Sequence, residues 1–262
     1  MYHHFDDDEQ LRVAGIIPAR YASSRFPGKP LAMIGGKLMI ERVWERAKQA
    51  LDTVVVATDD NRIAAAVEAF GGDVVMTSAK HRSGTDRCRE ALDKLGKDVD
   101  VVVNIQGDEP FIDPEQIRQL CHLFADDPIT DIATLIRPVP DTATYAELSD
   151  PNTVKVVTDS NGYALYFSRF PIPFMRNEEP DQWAGYHDYY THIGMYAYRS
   201  FVLRMITEQE PSPLERAENL EQLRWLENGL RIRTAVSELP TIGIDTPADL
   251  ERAEQYLKTL EQ

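Results

Sequence analysis

Two cysteines in 262 residues, Cys88 and Cys121, leave no disulfide framework and no Cys-x-x-Cys pair for metal or redox chemistry. Both are expected to be plain structural thiols in a reducing compartment. Also missing is any uninterrupted apolar run near the roughly 18 to 20 residues that a bilayer crossing requires. The first ten residues are acidic where a secretory leader would be basic and then apolar. The chain is therefore expected in the cytoplasm, without membrane insertion. Basic residues are in deficit, 28 against 43 acidic ones for a formal charge of −15, so a nucleic acid would meet net repulsion. Neither Gly-x-x-x-x-Gly-Lys-Ser/Thr nor Gly-x-Gly-x-x-Gly occurs, which excludes the P-loop and dinucleotide fingerprints. No histidine pair has zinc-ligand spacing with a partner acid, and there are no internal repeats or low-complexity tracts.

One further absence is local. From Gln10 to Ile40 there is no acidic residue, while Arg12, Arg20, Arg25, Lys29 and Lys37 fall inside that stretch. In a chain this acidic, such a stretch points to a small anionic ligand.

With 43% hydrophobic residues the chain can bury a substantial core. Short apolar runs bounded by charged or Gly-containing turns predict buried strands at 13–19, 53–58, 73–77 and 99–106. Helical spacing lies between and after them, at 38–51, 61–70, 84–95 and 114–124. This alternation predicts an α/β fold, a Rossmann-like, mostly parallel sheet with flanking helices, whose ligands bind beyond the carboxyl ends of the strands. After Asp131 the pattern changes. Strands at 153–158, 163–169 and 192–199 surround a Pro- and aromatic-rich stretch, 170–190, and read as an inserted lid or dimerisation arm. A helix at 213–228, a strand at 232–238 and a helix at 247–260 complete the chain. The expected layout is a core of 12–130 and 211–262, an inserted β-rich arm of about 131–210, and a segment, 1–11, that is a native extension or the remnant of a tag.

The loop after the first strand, Pro18-Ala-Arg-Tyr-Ala-Ser-Ser-Arg-Phe-Pro-Gly-Lys-Pro30, gathers two Arg, one Lys, two Ser and one Gly. Guanidinium forks and backbone amides beside a small-residue turn suit a polyphosphate, although a solvated basic loop would look similar. At the end of the fourth strand stands Gln106-Gly-Asp-Glu-Pro110. The next helix already has its cap in Asp113, with Pro114 and Gln116 behind it, so Asp108 and Glu109 are left for another task. Likewise Thr246 and Asp249 cap the last helix and leave Asp245 over. Two spare carboxylates beside a basic loop fit metal-dependent nucleotidyl transfer, solvated loop acids being the alternative. Ser83 or Thr85 caps the third helix, but Arg82 and Arg87 at its positive end call for a nearby anion. In the arm, Arg169, Arg176, His187 and His192 lie among Tyr and Phe, as a pocket for an acidic, hydroxyl-rich molecule would require. Glu215 belongs to a capping box with Ser212, whereas Glu221 and Gln222 read on pattern alone as a solvated helix face.

With those residues in view, the chain closely resembles the 3-deoxy-manno-octulosonate (Kdo) cytidylyltransferases, the CMP-Kdo synthetases. The matching stretches are IIPARYASSRFPGKPL from Ile16, VVATDD from Val55, SGTDR from Ser83, VVNIQGDEP from Val102, NTVKVV from Asn152, GYALYFSR from Gly162, HIGMYAYR from His192, PSPLERAENLEQLRWLENG from Pro211 and GIDTPADLERA from Gly243. The resemblance implies the nucleotide-diphospho-sugar transferase fold, a homodimer formed through the arm, and CTP plus Kdo giving CMP-Kdo and diphosphate for lipopolysaccharide synthesis. It implies that Arg20, Ser24, Arg25 and Lys29 hold the CTP phosphates, with Arg20, Lys29, Asp108 and Asp245 the catalytic set. Ser83, Gly84, Thr85, Arg87 and Gln106 would border the nucleotide, and Asp108 and Asp245 would hold Mg²⁺. Gln106, Arg169, Arg176, His192, Tyr196, Glu221 and Gln222 match the sugar pocket, with Arg169 for the Kdo carboxylate. Another acid (sialic acid or 8-amino-Kdo) as substrate, and a non-catalytic nucleotide-binding regulator, are the alternatives.

Overall fold

The computed structural model describes residues 11–22 and 26–260. In chain order the first half comprises β1 (Val13–Ala19), the small hairpin β2 (Met33–Ile34) and β3 (Lys37–Leu38), α1 (Met39–Lys48), β4 (Thr53–Thr58), α2 (Asn61–Ala69), β5 (Asp73–Met76), α3 (Gly84–Lys94), β6 (Val101–Asn104) and α4 (Pro114–Asp126). The second half comprises β7 (Ile132–Pro138), α5 (Tyr145–Leu148), β8 (Lys155–Thr158), β9 (Ala164–Ser168), α6 (Trp183–Tyr186), β10 (Tyr190–Arg199), α7 (Ser200–Ile206), α8 (Pro213–Glu218), α9 (Glu221–Glu227), β11 (Ile232–Val236) and α10 (Pro247–Leu260).

The central sheet runs β11-β7-β10-β6-β1-β4-β5. Strands β6, β1, β4 and β5 are parallel to one another, and β11 is parallel to β7. Only β10 runs against its neighbours β6 and β7. Apolar side chains on both faces of each central strand explain why helices must cover both sides. Ile17, Val54 and Val103 pack with α1, α2 and α4 on one face, and Ile16, Val55 and Val102 with α3, α7 and α9 on the other. Cys88 is sealed in the second of these layers and Cys121 is half-buried, both as free thiols. Burial pushes the pKa of Cys121 up to about 11, which keeps that thiol protonated and inert. Among the described residues no helix is long and apolar enough to cross a membrane.

The predicted caps form as expected: Asp113 accepts from Glu115 N–H, and Ser83, Ser212 and Thr246 each close a box with the acid three residues on. Two expectations need correction. The span from about 131 contains two full strands of the central sheet, β7 and β10, and the β8–β9 hairpin between them joins the same sheet where β8 pairs with β10. The helix expected over 213–228 is two helices, because Asn219 adopts the left-handed conformation (φ 54°) between α8 and α9. An Asn tolerates that conformation better than any other non-Gly residue except Asp. Asn219→Gly is accordingly expected to leave the thermal midpoint nearly unchanged, whereas Asn219→Ala should cost about 1 kcal/mol, read by thermal denaturation.

Candidate active site

The carboxyl ends of β1 and β6 open into a cleft of about 270 Å³. The first strand and its loop contribute Pro18, Ala19, Arg20 and Lys29; the approach to α3 contributes His81, Arg82, Ser83, Gly84 and Arg87. The turn after β6 gives Gln106, Gly107 and Asp108, and the loop before α10 gives Asp245. Gly107 allows this closeness: a Cβ there would lie 3.0 Å from the Pro18 carbonyl oxygen, so that backbone would have to give way by a few tenths of an ångström.

The basic loop is closed at its base. Gly28, with φ +71°, donates its N–H to the Tyr21 carbonyl at 2.9 Å, and the Arg62 guanidinium lies 3.3 Å from the centre of the Tyr21 ring. Asp60 holds Arg62 in turn through two hydrogen bonds, 3.0 and 2.7 Å. The loop then enters a 3-10 turn, Lys29–Leu31, whose first side chain reaches back into the cleft. Lys29 Nζ stands 2.7 Å from Asp108 Oδ2 and 3.2 Å from Asp245 Oδ1. The two acids are neighbours because Ile244 N–H donates to the Asp108 carbonyl at 2.9 Å, tying the β11–α10 loop to the turn after β6. Of the adjacent pair read from sequence, only Asp108 faces the cleft. Glu109 is turned inward, and burial, reinforced by the Asp108 charge, pushes its pKa up to about 7.

At the opposite wall, Ser83 caps α3, and Gly84 presents bare backbone to Pro18. Thr85 and Arg87 behave differently. Thr85 is 3% exposed and donates its hydroxyl proton to Glu221 at 2.8 Å rather than lining the cleft. Arg87 reaches the cleft wall but is 5% exposed, and its guanidinium is engaged by Thr77 at 2.5 Å and Asp59 at 3.1 Å. Two residues along a helix make about 200° of rotation, so Thr85 and Arg87 leave α3 in different directions, one to Glu221 and the other to Thr77 and Asp59. His81 is a cleft residue that sequence reading did not assign. Its ring is hydrogen-bonded to Glu90, which also accepts from Ser78 N–H and pairs with Lys94 at 2.7 Å. The hydrogen bonds from Lys94 and Ser78, with a smaller one from His81, lower the pKa of Glu90 to about 2.

The residues expected at the sugar end gather along β10 and the α8–α9 junction. His192 and Tyr196 have ring centroids 5.0 Å apart, and Tyr196 meets Trp225 edge-to-face, also at 5.0 Å. Thr134 Oγ1 lies 2.9 Å from both the Met195 carbonyl oxygen and His192 Nε2, tying the ring to β7. Burial drives the His192 pKa down to about 3, so the ring is neutral. Tyr196 is 8% exposed and its hydroxyl finds no partner among the described residues. Glu221, expected from pattern alone on a solvated face, is held by Thr85 and by Arg224 at 2.7 Å, and burial raises its pKa. Gln222 is buried beside it in sequence. Arg169 donates to the main-chain carbonyls of Glu218 at 2.6 Å, Pro151 at 2.8 Å and Asn219 at 3.3 Å. The break between α8 and α9 is what aims two of those carbonyls at it. Arg176 is exposed on the arm and has no hydrogen bond or ion pair to the others among the described residues. Ser24 and Arg25 lie outside the described residues.

A cytidylyltransferase family model matches residues 14–232. A 3-deoxy-manno-octulosonate cytidylyltransferase of Bacteroides thetaiotaomicron is 58% identical over 95% of this chain and 99% of its own. The chain belongs to the 3-deoxy-manno-octulosonate cytidylyltransferase family. A member from Geobacter sulfurreducens is 46% identical over 95% of this chain and 100% of its own. The family resemblance extends to a solved structure of a CMP:2-keto-3-deoxy-manno-octonic acid synthetase complexed with CTP, with a TM-score of 0.87, 44% identity, and coverage of 95% of this chain and 99% of that one. The 4-diphosphocytidyl-2C-methyl-D-erythritol synthase of Anaerococcus prevotii superposes with a TM-score of 0.60 at 14% identity, covering 95% and 96% of the two chains, and shares the fold alone.

The Glu90 cluster gives a pH test. A carboxyl whose folded pKa is about 2, against 4.5 unfolded, adds stability that is complete above about pH 5 and is lost as pH falls toward 2. Glu90→Gln is expected to cost about 1 to 2 kcal/mol at pH 7, with the gap from the parent closing below about pH 3, read by denaturant unfolding across pH.

Proposed function

We propose that this chain transfers CMP from CTP to the anomeric hydroxyl of 3-deoxy-D-manno-octulosonate, releasing diphosphate. The observation that carries the reading is the convergence in one cleft of Arg20 and Lys29 from the first loop with Asp108 and Asp245 from two others. Cations on one side and hard oxygen ligands on the other are what an in-line displacement at a nucleotide's α-phosphorus requires.

The anomeric oxygen forms the new O–P bond as the α-phosphorus to diphosphate bond breaks, and the hydroxyl proton leaves to solvent. Arg20 and Lys29 neutralise charge growing on the leaving diphosphate, with Ser24 and Arg25 of the same loop. Asp108 and Asp245 fit a divalent ion, Mg²⁺ in this reading, because such ions are commonly held by one or two carboxylates together with substrate phosphates and water. When bound, that ion supplies Lewis acidity and lowers the pKa of the attacking hydroxyl. Gln106 lies between the two substrates, and Ser83 and Gly84 offer backbone to the nucleoside. Thr85 and Arg87 support that wall from behind.

At the sugar end, Arg169 receives the carboxylate with N–H groups left over from its three carbonyl bonds. Neutral His192, with Tyr196, Glu221 and Gln222, meets the hydroxyls, and Arg176 joins from the arm. The arm also exposes Leu165, Phe170, Phe174 and Tyr186, an apolar surface that supports a homodimer formed there. The product fits lipopolysaccharide synthesis in the cytoplasm.

Diphosphate release from purified protein with Mg²⁺ should require CTP and the sugar acid together, and ATP, GTP or UTP should not replace CTP. Release with CTP only when a different sugar acid is supplied would change the substrate and keep the class; silence throughout would overturn the reading. Asp108→Asn and Asp245→Asn should each lower kcat at least about a hundredfold; near-normal turnover by either would remove that carboxylate from the scheme.

A further inference from the structure

Lys29 is expected to face the nucleotide's phosphates, yet its ammonium here bridges Asp108 and Asp245, 2.7 and 3.2 Å from an oxygen of each. The Lys29 side chain is 15% exposed, less than either acid at 33% and 49%, so it sits between them rather than waving above them. Two carboxylates drawn from different loops would repel each other without positive charge, and the lysine supplies it to both. It stands where the proposed function puts the divalent ion, and this inference rests on that reading. A monovalent ammonium and a divalent ion cannot share a position a few ångströms across, because like charges at that range repel strongly. The four-carbon stem of lysine lets the ammonium swing without moving the backbone.

We propose that Lys29 is a built-in substitute for the metal: it neutralises Asp108 and Asp245 while the cleft is empty and transfers to the nucleotide's phosphates when they arrive, so that ion and nucleotide enter together. With the nucleotide drawing the lysine away, the two acids lose one positive charge between them and accept the ion. The bare protein is therefore a poor metal binder by construction, and free nucleotide is what opens the metal site.

Binding of Mn²⁺, followed by the electron paramagnetic resonance of the free ion, tests this without reference to turnover. The parent should bind Mn²⁺ weakly alone and more tightly with CTP. Lys29→Met should bind Mn²⁺ without nucleotide at least about tenfold more tightly than the parent, and its thermal midpoint should rise with Mn²⁺ more than the parent's does. Lys29→Gln, also neutral, should behave in the same way and serves if the Met variant does not fold. Adding Asp245→Asn to either variant should abolish the gain. Equal Mn²⁺ affinity of parent and Lys29 variants without CTP, alongside normal binding with CTP, would overturn the substitution while leaving the carboxylate site standing. If Asp245→Asn left Mn²⁺ binding with CTP unchanged, the carboxylate reading would fall and take the inference with it.

Discussion

The contact on which the site depends is an ammonium group shared by two carboxylates that lie 79 and 216 positions along the chain from it. It joins the loop after β1, the turn after β6 and the loop before α10. Each reaches the same edge because parallel strands deliver their carboxyl ends together, and the Ile244 to Asp108 backbone hydrogen bond completes the alignment. A chain with a formal charge of −15 thereby keeps one cleft whose lining, with Arg20, Lys29, Arg82 and Arg87 beside Asp108 and Asp245, is rich in cations.

Much of this arrangement was legible beforehand, and the reasons are specific. The strands β1 and β4 were readable end to end because buried parallel strands carry apolar side chains on both faces and stop at charged turns. Asp108 and Asp245 stood out because each neighbouring helix had a better cap, so neither was needed for one. What the chain does not spell out is direction. Thr85 and Arg87 follow Ser83 closely, yet the helix sends Thr85 to Glu221 and sinks Arg87 into the cleft wall against Thr77 and Asp59. Glu221 looks like a surface acid until the bend at Asn219 brings it against Thr85. His81 gave no signal because its partner Glu90 is two helical turns away, and a motif read as a helix cap hides a side chain that faces the cleft.

The two ends of the site are tuned in opposite ways. Around Lys29 the charges are kept, one ammonium against two carboxylates. Around His192 and Glu221 burial removes charge: His192 is neutral, and Glu221 is shifted toward its protonated form. Arg169 is oriented through carbonyl dipoles, while the Glu218 carboxylate accepts from its main-chain N–H at 2.9 Å.

Because β10 alone runs against the other strands of the central sheet, the polypeptide leaves the core at Pro138 and returns to it at Tyr190, and those two residues face each other as register partners. Between them the chain is pinned back to the core at further points: β8 pairs with β10, Tyr163 bridges to Arg233, and Ser168 donates to Glu218. A change in the length of this excursion would therefore have to be absorbed between fixed points, and one of them, the β8 pairing at Tyr190 and Thr191, adjoins His192 directly.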